Sequence, residues 1–249
     1  SLINLDCIIH CAGIAHNTSN KEEIDNYRIV NVEGTKHLAT QAAKAGVKRI
    51  IFLSTIKVNG ESTNEVNNNK INDFFSNDDP PNPQDAYALS KLEAEKELWK
   101  ISKKTNLEVV VLRLPLVYGH GVKGNMANLI KLIKFGIPLP FGMVRNQKSL
   151  ISIYNLVDLL IKCIDHPNAN GKTFLVSDCE DVSTPSLINL IAFSLGRTAN
   201  IFSIPLFLLK MIGKILGKKK EIDKLIASLI IDSSYTCKVL NWKPPISVA

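Results

Sequence analysis

Short apolar runs alternate with longer amphipathic segments along this chain, and this alternation constrains the fold more than any other feature. Residues 6–10, 47–54 and 107–114 form apolar runs of strand length, whereas 27–45 and 86–104 carry apolar residues at helical spacing. Runs whose central residues are all apolar, such as the Ile50-Ile51-Phe52-Leu53 stretch, indicate strands buried on both faces, as in parallel sheets. We therefore predict an α/β fold built on a doubly wound parallel sheet.

Shorter elements follow after Gly119, where the pattern predicts a smaller, mixed α/β lobe. The polar, proline-rich residues 59–83 are predicted to form a surface loop. Asp85 and Thr184 are predicted to be helix N-caps because each precedes an amphipathic segment. In this half, strands are predicted at 149–153 and 172–177, and helices at 125–135, 155–165, 184–195, 205–216 and 221–230.

Composition narrows the class of protein. With 249 residues, 45% of them hydrophobic, the chain is long enough to bury a full core. The five cysteines contain no C-x-x-C pair, so no disulfide framework or metal site is indicated, and a reducing, cytoplasmic location is expected. No apolar run reaches the roughly 20 residues that cross a bilayer, so no integral membrane segment is predicted. The net charge of +7 is spread along the chain with few aromatic residues nearby, which argues against a nucleic-acid partner.

The clearest candidate for chemistry is a tyrosine and a lysine at the start of the helix predicted over 86–104. Tyr87 and Lys91 are four residues apart and therefore share one helical face. A free tyrosine has a pKa near 10, and lowering it to about 7 requires roughly 4 kcal/mol of preference for the phenolate. A nearby ammonium can supply part of that preference, so such a tyrosine could move a proton on a sugar hydroxyl.

Hydroxyl side chains precede this pair at the end of a predicted strand. Ser54 is the last residue of the predicted strand 47–54, and Thr55 follows it directly. The carboxyl ends of parallel strands are where α/β sheets build their sites. A Tyr-x-x-x-Lys pair alone is expected often by chance. The order of strand-end hydroxyl, tyrosine and lysine is far rarer and favours an active site.

With these motifs, essentially the whole chain resembles the extended short-chain dehydrogenase/reductase superfamily, in its NAD-dependent epimerase/dehydratase branch. The closest likeness is to UDP-sugar 4-epimerases and 4-keto-sugar reductases of surface-polysaccharide pathways. The matching stretches are Ile8-Ile9-His10-Cys11-Ala12-Gly13, Asn31-Val32-Glu33-Gly34-Thr35, Phe52-Leu53-Ser54-Thr55, residues 87–91, 112–119, 145–150 and 155–158, and Leu240-Asn241-Trp242-Lys243-Pro244.

The resemblance implies a set of functional residues. Tyr87 would be the acid/base at sugar C4, Thr55 would hydrogen-bond the substrate hydroxyl, and Lys91 would bind the nicotinamide ribose and lower the pKa of Tyr87. The implied cofactor is NAD, with NADP left open, and the implied substrate is a UDP-sugar. The remaining implied contacts are Ala12, Gly13, Asn31, Ser54 and Pro115 for the cofactor, and Asn125, Arg145 and Lys148 for the substrate.

Several of these residues also have purely structural interpretations. Asn31 could bond loop backbone, Gly13 could serve a tight turn, and Asn125 could cap its helix. His10 on an apolar strand is interpreted as a core residue. Lys148 stands where the family has an arginine that clamps phosphate, and a lysine lacks the bidentate fork of that arginine.

Two departures from the family pattern refine the prediction. Ile56-Lys57 follows Thr55 where the 4,6-dehydratases of the family carry Asp-Glu, so dehydration is disfavoured. The glycine-rich dinucleotide fingerprint is not found in the sequence, and the family layout implies that about 60 to 80 preceding residues, two βα units of a Rossmann half, are missing. We therefore expect residues 1–120 to be the C-terminal part of an incomplete Rossmann-type NAD-binding domain. Residues 121–249 would be mainly the substrate lobe, with 149–165 returning to the first domain.

Three functional hypotheses stay open from the sequence. The first is 4-epimerisation through a 4-keto intermediate, the second is a 4-keto-sugar reductase with the same residues, and the third is an inactive truncated remnant deficient in cofactor binding. The family resemblance also implies a homodimer formed through the helices at 27–45 and 86–104. A basic amphipathic helix at 205–220 could lie on an anionic membrane, although packing within the lobe is the favoured interpretation.

Overall fold

A computed structural model describes residues 2, 4–15, 25–63, 66–67, 70–71 and 73–248. Their strands are β1 (Cys7–His10), β2 (Arg49–Thr55), β3 (Val66–Asn67), β4 (Lys70–Ile71), β5 (Glu108–Leu114), β6 (Leu116–Tyr118), β7 (Lys148–Ser152), β8 (Lys172–Leu175) and β9 (Asp181–Val182). Four parallel strands form a main sheet in the order β1-β2-β5-β8, and three strands form a second sheet in the order β6-β7-β9.

Helices connect the strands of the main sheet. A π-helical segment, Arg28–Glu33, runs directly into the α-helix that begins at Gly34. The α-helices from this point on are α1 (Gly34–Lys44), α2 (Ala86–Ser102), α3 (Gly124–Lys134), α4 (Ile153–Asp165), α5 (Thr184–Ser194), α6 (Leu206–Ile215), α7 (Lys219–Ile226) and α8 (Ser234–Leu240). No helix among the described residues has the length and apolar character needed to span a membrane.

The main sheet is buried on both faces because successive side chains of its central strands point to opposite sides. On β2, Ile51 belongs to the core formed with α4, whereas Ile50 and Phe52 belong to the core formed with α1 and α2. Strand β5 alternates in the same way, with Leu112 on the first face and Val111 on the second. The prediction of a doubly wound parallel sheet is confirmed.

The chain leaves the main sheet at Pro115, which separates β5 from β6 and cannot donate a backbone hydrogen bond. Strand β6 then pairs in parallel with β7, which pairs antiparallel with β9. Helices α3 and α5 pack beside this second sheet, where Met126, Leu150 and Ile188 share a separate hydrophobic core. Neither β6 nor α8 was predicted from the sequence.

The loop predicted over 59–83 is not purely a surface feature in its described part. Phe75 is buried, and its backbone N–H donates to Ile230 O at 2.8 Å. A Cβ on Gly60, whose φ is +156°, would lie 2.8 Å from Phe75 Cζ, so only glycine fits there. Residues 64–65, 68–69 and 72 of this prediction lie outside the described residues.

The structure tests three residues that the sequence analysis interpreted as helix N-caps. Asp85 is confirmed as the N-cap of α2, since its Oδ1 accepts from the backbone N–H of Ala88 at 2.7 Å. The prediction for Thr184 is wrong, because Ser183 is the N-cap of α5 and Thr184 is its first residue. Asn125 is not an N-cap either, because it lies within the first turn of α3, after Lys123.

Candidate active site

The candidate site lies where β2 ends and α2 begins. Thr55 is the last residue of β2, and Tyr87 is the second residue of α2, two positions after its N-cap. The hydroxyl of Thr55 lies near enough to the phenol of Tyr87 to lower its pKa. Because the carboxyl ends of parallel strands share one edge of a sheet, this places the pair at the edge where α/β proteins bind ligands.

The surroundings of Tyr87 act on its phenol in both directions. Burial raises the pKa of Tyr87 above its ordinary value, and Asp85 and Tyr27 act in the same direction. The positive charge of Lys57 and the nearby hydroxyl of Thr55 lower that pKa. The ring of Tyr27 lies 6.1 Å from the ring of Tyr87, centroid to centroid, and forms one wall beside it.

Lys57 belongs to an ion-pair network that sequence reasoning did not identify. Its Nζ lies 2.6 Å from Asp85 Oδ2 and 3.0 Å from Glu61 Oε1. These two carboxylates outweigh partial burial and raise the pKa of Lys57. Lys57 lies two residues after Thr55, and Asp85 lies two residues before Tyr87. The opposite charges of Lys57 and Asp85 at these positions could have indicated the ion-pair network from the sequence.

Lys91 has the opposite environment. It is only 5% exposed, its Nζ donates to Leu53 O at 2.8 Å, and this nitrogen lies 4.5 Å from the centroid of the Phe52 ring. Burial lowers the pKa of Lys91 to about 8, with a partial opposing effect from Glu95. In the structure, Lys57 is a cation that lowers the pKa of Tyr87. That Lys91 also lowers this pKa stays a prediction from the family resemblance.

Gly13 and Asn31 form a cradle next to Lys91. A Cβ added to Gly13 would lie 3.0 Å from Asn31 Oδ1 and 3.4 Å from Lys91 Nζ, so the missing side chain leaves room there. Asn31 Nδ2 donates to Ile14 O at 3.0 Å, and Ile14 N donates to Asn31 Oδ1 at 2.9 Å. Asn31 therefore holds the backbone just after Gly13, which matches its structural interpretation. Ala12, before Gly13, is exposed.

His10 is a satisfied core residue, as its structural interpretation predicted. Thr35 Oγ1 donates to Asn31 O at 2.7 Å, so its oxygen accepts from His10 Nε2 at 2.8 Å. Burial lowers the pKa of His10 to about 4, with a smaller effect from Lys91, so the ring is neutral at pH 7.

A buried charged network supports the floor of the site. Arg113 donates to both carboxylate oxygens of Glu95, at 3.1 and 2.7 Å, and to Asn59 Oδ1 at 2.9 Å. Ser54 Oγ donates to Glu95 Oε1 at 2.5 Å. Ser54 was predicted to line the nicotinamide pocket, but its hydroxyl is bound within this network. Pro115, predicted for the same pocket, is buried beyond the end of β5.

The three predicted substrate residues lie in the second half of the chain. Asn125 and Arg145 are exposed. Lys148, at the start of β7, donates through Nζ to Lys224 O at 2.8 Å, and burial lowers its pKa to about 8. Among the described residues, no hydrogen bond or ion pair joins any of these three to Thr55 or Tyr87.

The sequence of this chain is similar to those of known proteins. Residues 2–177 match the NAD dependent epimerase/dehydratase family. A UDP-glucose 4-epimerase of Vibrio cholerae is 45% identical over 247 residues, which cover 98% of this chain and 74% of that protein.

Solved structures show the same fold. The UDP-glucuronic acid 4-epimerase of Bacillus cereus, in complex with NAD, aligns with a TM-score of 0.75 at 21% identity, over 98% of this chain and 71% of that one. The UDP-glucose 4-epimerase of Thermotoga maritima, with UDP-glucose, also has a TM-score of 0.75, at 20% identity, over 98% of this chain and 73% of that one. The chain belongs to the NAD-dependent epimerase/dehydratase family.

Proposed function

We propose that this protein is an NAD-dependent 4-epimerase of a UDP-linked hexose or N-acetylhexosamine, with Tyr87 as its acid/base. The observation that carries the proposal is the placement of Thr55, at the carboxyl end of β2, beside Tyr87, which lies one helical turn before Lys91 on α2. The 45% identity to a UDP-glucose 4-epimerase supports this choice of reaction.

The residues present fit the nicotinamide end of NAD. A lysine ammonium has three N–H donors, and in the described part of the chain Lys91 gives one of them, to Leu53 O. The remaining donors and the open surface of Gly13 suit ribose hydroxyls. Lys91 and Gly13 would thus hold the cofactor, with Asn31 fixing the backbone just after Gly13. When bound, NAD supplies a hydride acceptor for C4 of the sugar and then the hydride donor.

The protein's own part of the chemistry is proton transfer. As C4 becomes a ketone, Tyr87 takes the proton of the 4-hydroxyl, and it returns a proton when the hydroxyl forms again on the opposite face. Thr55, beside Tyr87, would hydrogen-bond the reacting oxygen. Burial in the structure opposes the phenolate, and the positive charge of Lys57 favours it.

Lys148 is proposed to face the diphosphate of the nucleotide, with Arg145 and Asn125 as further contacts. In the described residues no carboxylate pairs with Lys148, and its bonded partner is the carbonyl of Lys224. A phosphate would stabilise the charged form of a lysine whose pKa burial has lowered to about 8.

The test is turnover of UDP-glucose or UDP-N-acetylglucosamine without added reductant. Tyr87→Phe should lower turnover by about 10²- to 10⁴-fold, the usual contribution of a general acid/base. Tyr154→Phe is the matched control, because Tyr154 is 63% exposed on α4 and should leave turnover unchanged.

The other two hypotheses predict different results in the same assays. A 4-keto-sugar reductase would form no 4-epimer and would consume NADH or NADPH stoichiometrically. An inactive remnant would form no product and would not change nicotinamide fluorescence on titration with NADH. Either result would refute the proposed epimerase.

We also propose a cytoplasmic homodimer. The five cysteines are all free, as expected in a reducing compartment. The segment before α1 exposes Ile29 and Val30, and α2 exposes Leu89, on the helices that the family uses for pairing. Light scattering should give a dimer mass for the wild type and a monomer mass for Ile29→Glu. A wild-type monomer would refute the dimer.

A further inference from the structure

Helix α6 exposes an apolar stripe that points away from the rest of the protein. Phe207, Met211 and Ile215 follow one another at intervals of four residues and are 68%, 49% and 74% exposed. At 100° per residue these three side chains share one face of the helix. The sequence-based interpretation favoured packing within the lobe, and in the structure only part of the helix packs.

The opposite face of α6 anchors the helix. Leu209 is 1% exposed and belongs to the core of the second half of the chain. A Cβ added to Gly213 would lie 2.8 Å from Ile222 Cγ1, so α7 packs closely at this point. Leu209 and Gly213 lie about half a turn from the stripe. The stripe is therefore held outwards on a fixed helix.

Positive charge borders the stripe. Lys210 and Lys214 are exposed and lie on one margin of it, and Lys218 and Lys219 are exposed just beyond the end of α6. Across residues 182–220 the sequence contains no Asp or Glu, whereas this segment carries Arg197 and five lysines. Long lysine side chains can lie along apolar surface while their ammonium groups reach a charged layer.

We infer that the stripe of Phe207, Met211 and Ile215, with Lys210 and Lys214 at its margin, docks on an anionic phospholipid surface. Apolar side chains on one face with lysines beside them are the pattern of helices that lie in the membrane interface. Ten residues of helix span about 15 Å, half the hydrocarbon thickness, so α6 would lie along the surface and not cross it.

A second copy of the chain fits this surface less well. Pairing of two identical stripes about a two-fold axis would bring the lysines of both copies together without a carboxylate from this segment to neutralise them. The dimer face proposed above lies on other helices, so the two surfaces can be tested separately.

The experiment is co-sedimentation of the protein with vesicles of phosphatidylcholine, with and without phosphatidylglycerol. We expect binding to the anionic vesicles that weakens as salt is added. Phe207→Glu/Met211→Glu should abolish it, and Lys210→Gln/Lys214→Gln should weaken it by about 30-fold. Phe193→Ser is the matched control, because Phe193 is 83% exposed, lies on α5 and should leave binding unchanged.

Circular dichroism and turnover in solution show whether the α6 variants are still folded and active. Both should be unchanged in the α6 variants, since the stripe touches neither the core nor the proposed active site. Three results would overturn the proposal: no binding of the wild type to anionic vesicles, equal binding by Phe207→Glu/Met211→Glu, or an oligomer of the wild type that this double variant dissociates.

Discussion

Two lysines near the candidate active site have opposite environments. Lys57 is surrounded by the carboxylates of Asp85 and Glu61, which raise its pKa. Lys91 donates a hydrogen bond to a backbone carbonyl and lies over an aromatic ring, and burial lowers its pKa to about 8. Lys57 is thus satisfied by the protein itself, whereas Lys91 has capacity for an external acceptor. The difference separates a residue that organises the site from one that is available to a ligand.

Arg113 maintains the difference between the environments of Lys57 and Lys91. Glu95 is close enough to raise the pKa of Lys91, yet both of its carboxylate oxygens are bound by Arg113. Glu95 and Arg113 are 2% and 7% exposed, so neither charge can turn to solvent. Without Arg113, the nearest cation for Glu95 would be Lys91, and the contrast between the two lysines would disappear.

Arg113→Met should therefore have the largest effect on stability. Removing one partner of a buried ion pair costs about 3–5 kcal/mol, because the other charge is left uncompensated. Urea unfolding at pH 7 measures this loss. Arg113→Met/Glu95→Gln should recover part of it, since the orphaned charge is gone. Equal stability of Arg113→Met and the wild type would show that Glu95 is not held as the structure indicates.

Lys91→Met should have the next largest effect and the opposite sign. The pKa of Lys91 falls from 10.5 to about 8 on folding, so its charged form disfavours the folded state by about 3 kcal/mol at pH 7. This cost is fully present below pH 8 and disappears as the pH rises towards 10.5. A methionine removes the charge, so the variant should be more stable at neutral pH.

Urea unfolding at a series of pH values between 7 and 10.5 checks this prediction. The stability difference between Lys91→Met and the wild type should shrink as pH rises through this range. The control is Lys96→Met, which replaces an exposed lysine of the same helix and should show no such trend. A stability difference independent of pH would mean that Lys91 does not lose charge on folding in this way.

The sequence predicted the large elements well because strands buried on both faces produce continuous apolar runs. It did not predict β6 or α8, with three and seven residues, because elements this short carry too little periodicity. Thr55, Tyr87 and Lys91 were identifiable from motifs. The link between Arg113 and Glu95 was not, because it joins a strand to a helix and depends on how the two pack.

Lys57→Met should have the smallest effect on stability and a distinct effect on catalysis. The side chain of Lys57 is 28% exposed, so losing its ion pairs should cost about 1 kcal/mol or less. Since Lys57 is a cation that lowers the pKa of Tyr87, its removal should shift the acid limb of the pH–rate profile upwards, by on the order of one pH unit. Lys57→Arg keeps the charge and should keep the limb in place.

Asp85→Asn keeps an N-cap side chain but removes a carboxylate that raises the pKa of Tyr87, so it should shift the acid limb downwards. If neither Lys57→Met nor Asp85→Asn moved the limb, Tyr87 would be insulated from this network, and the contrast between the two lysines would have no catalytic consequence.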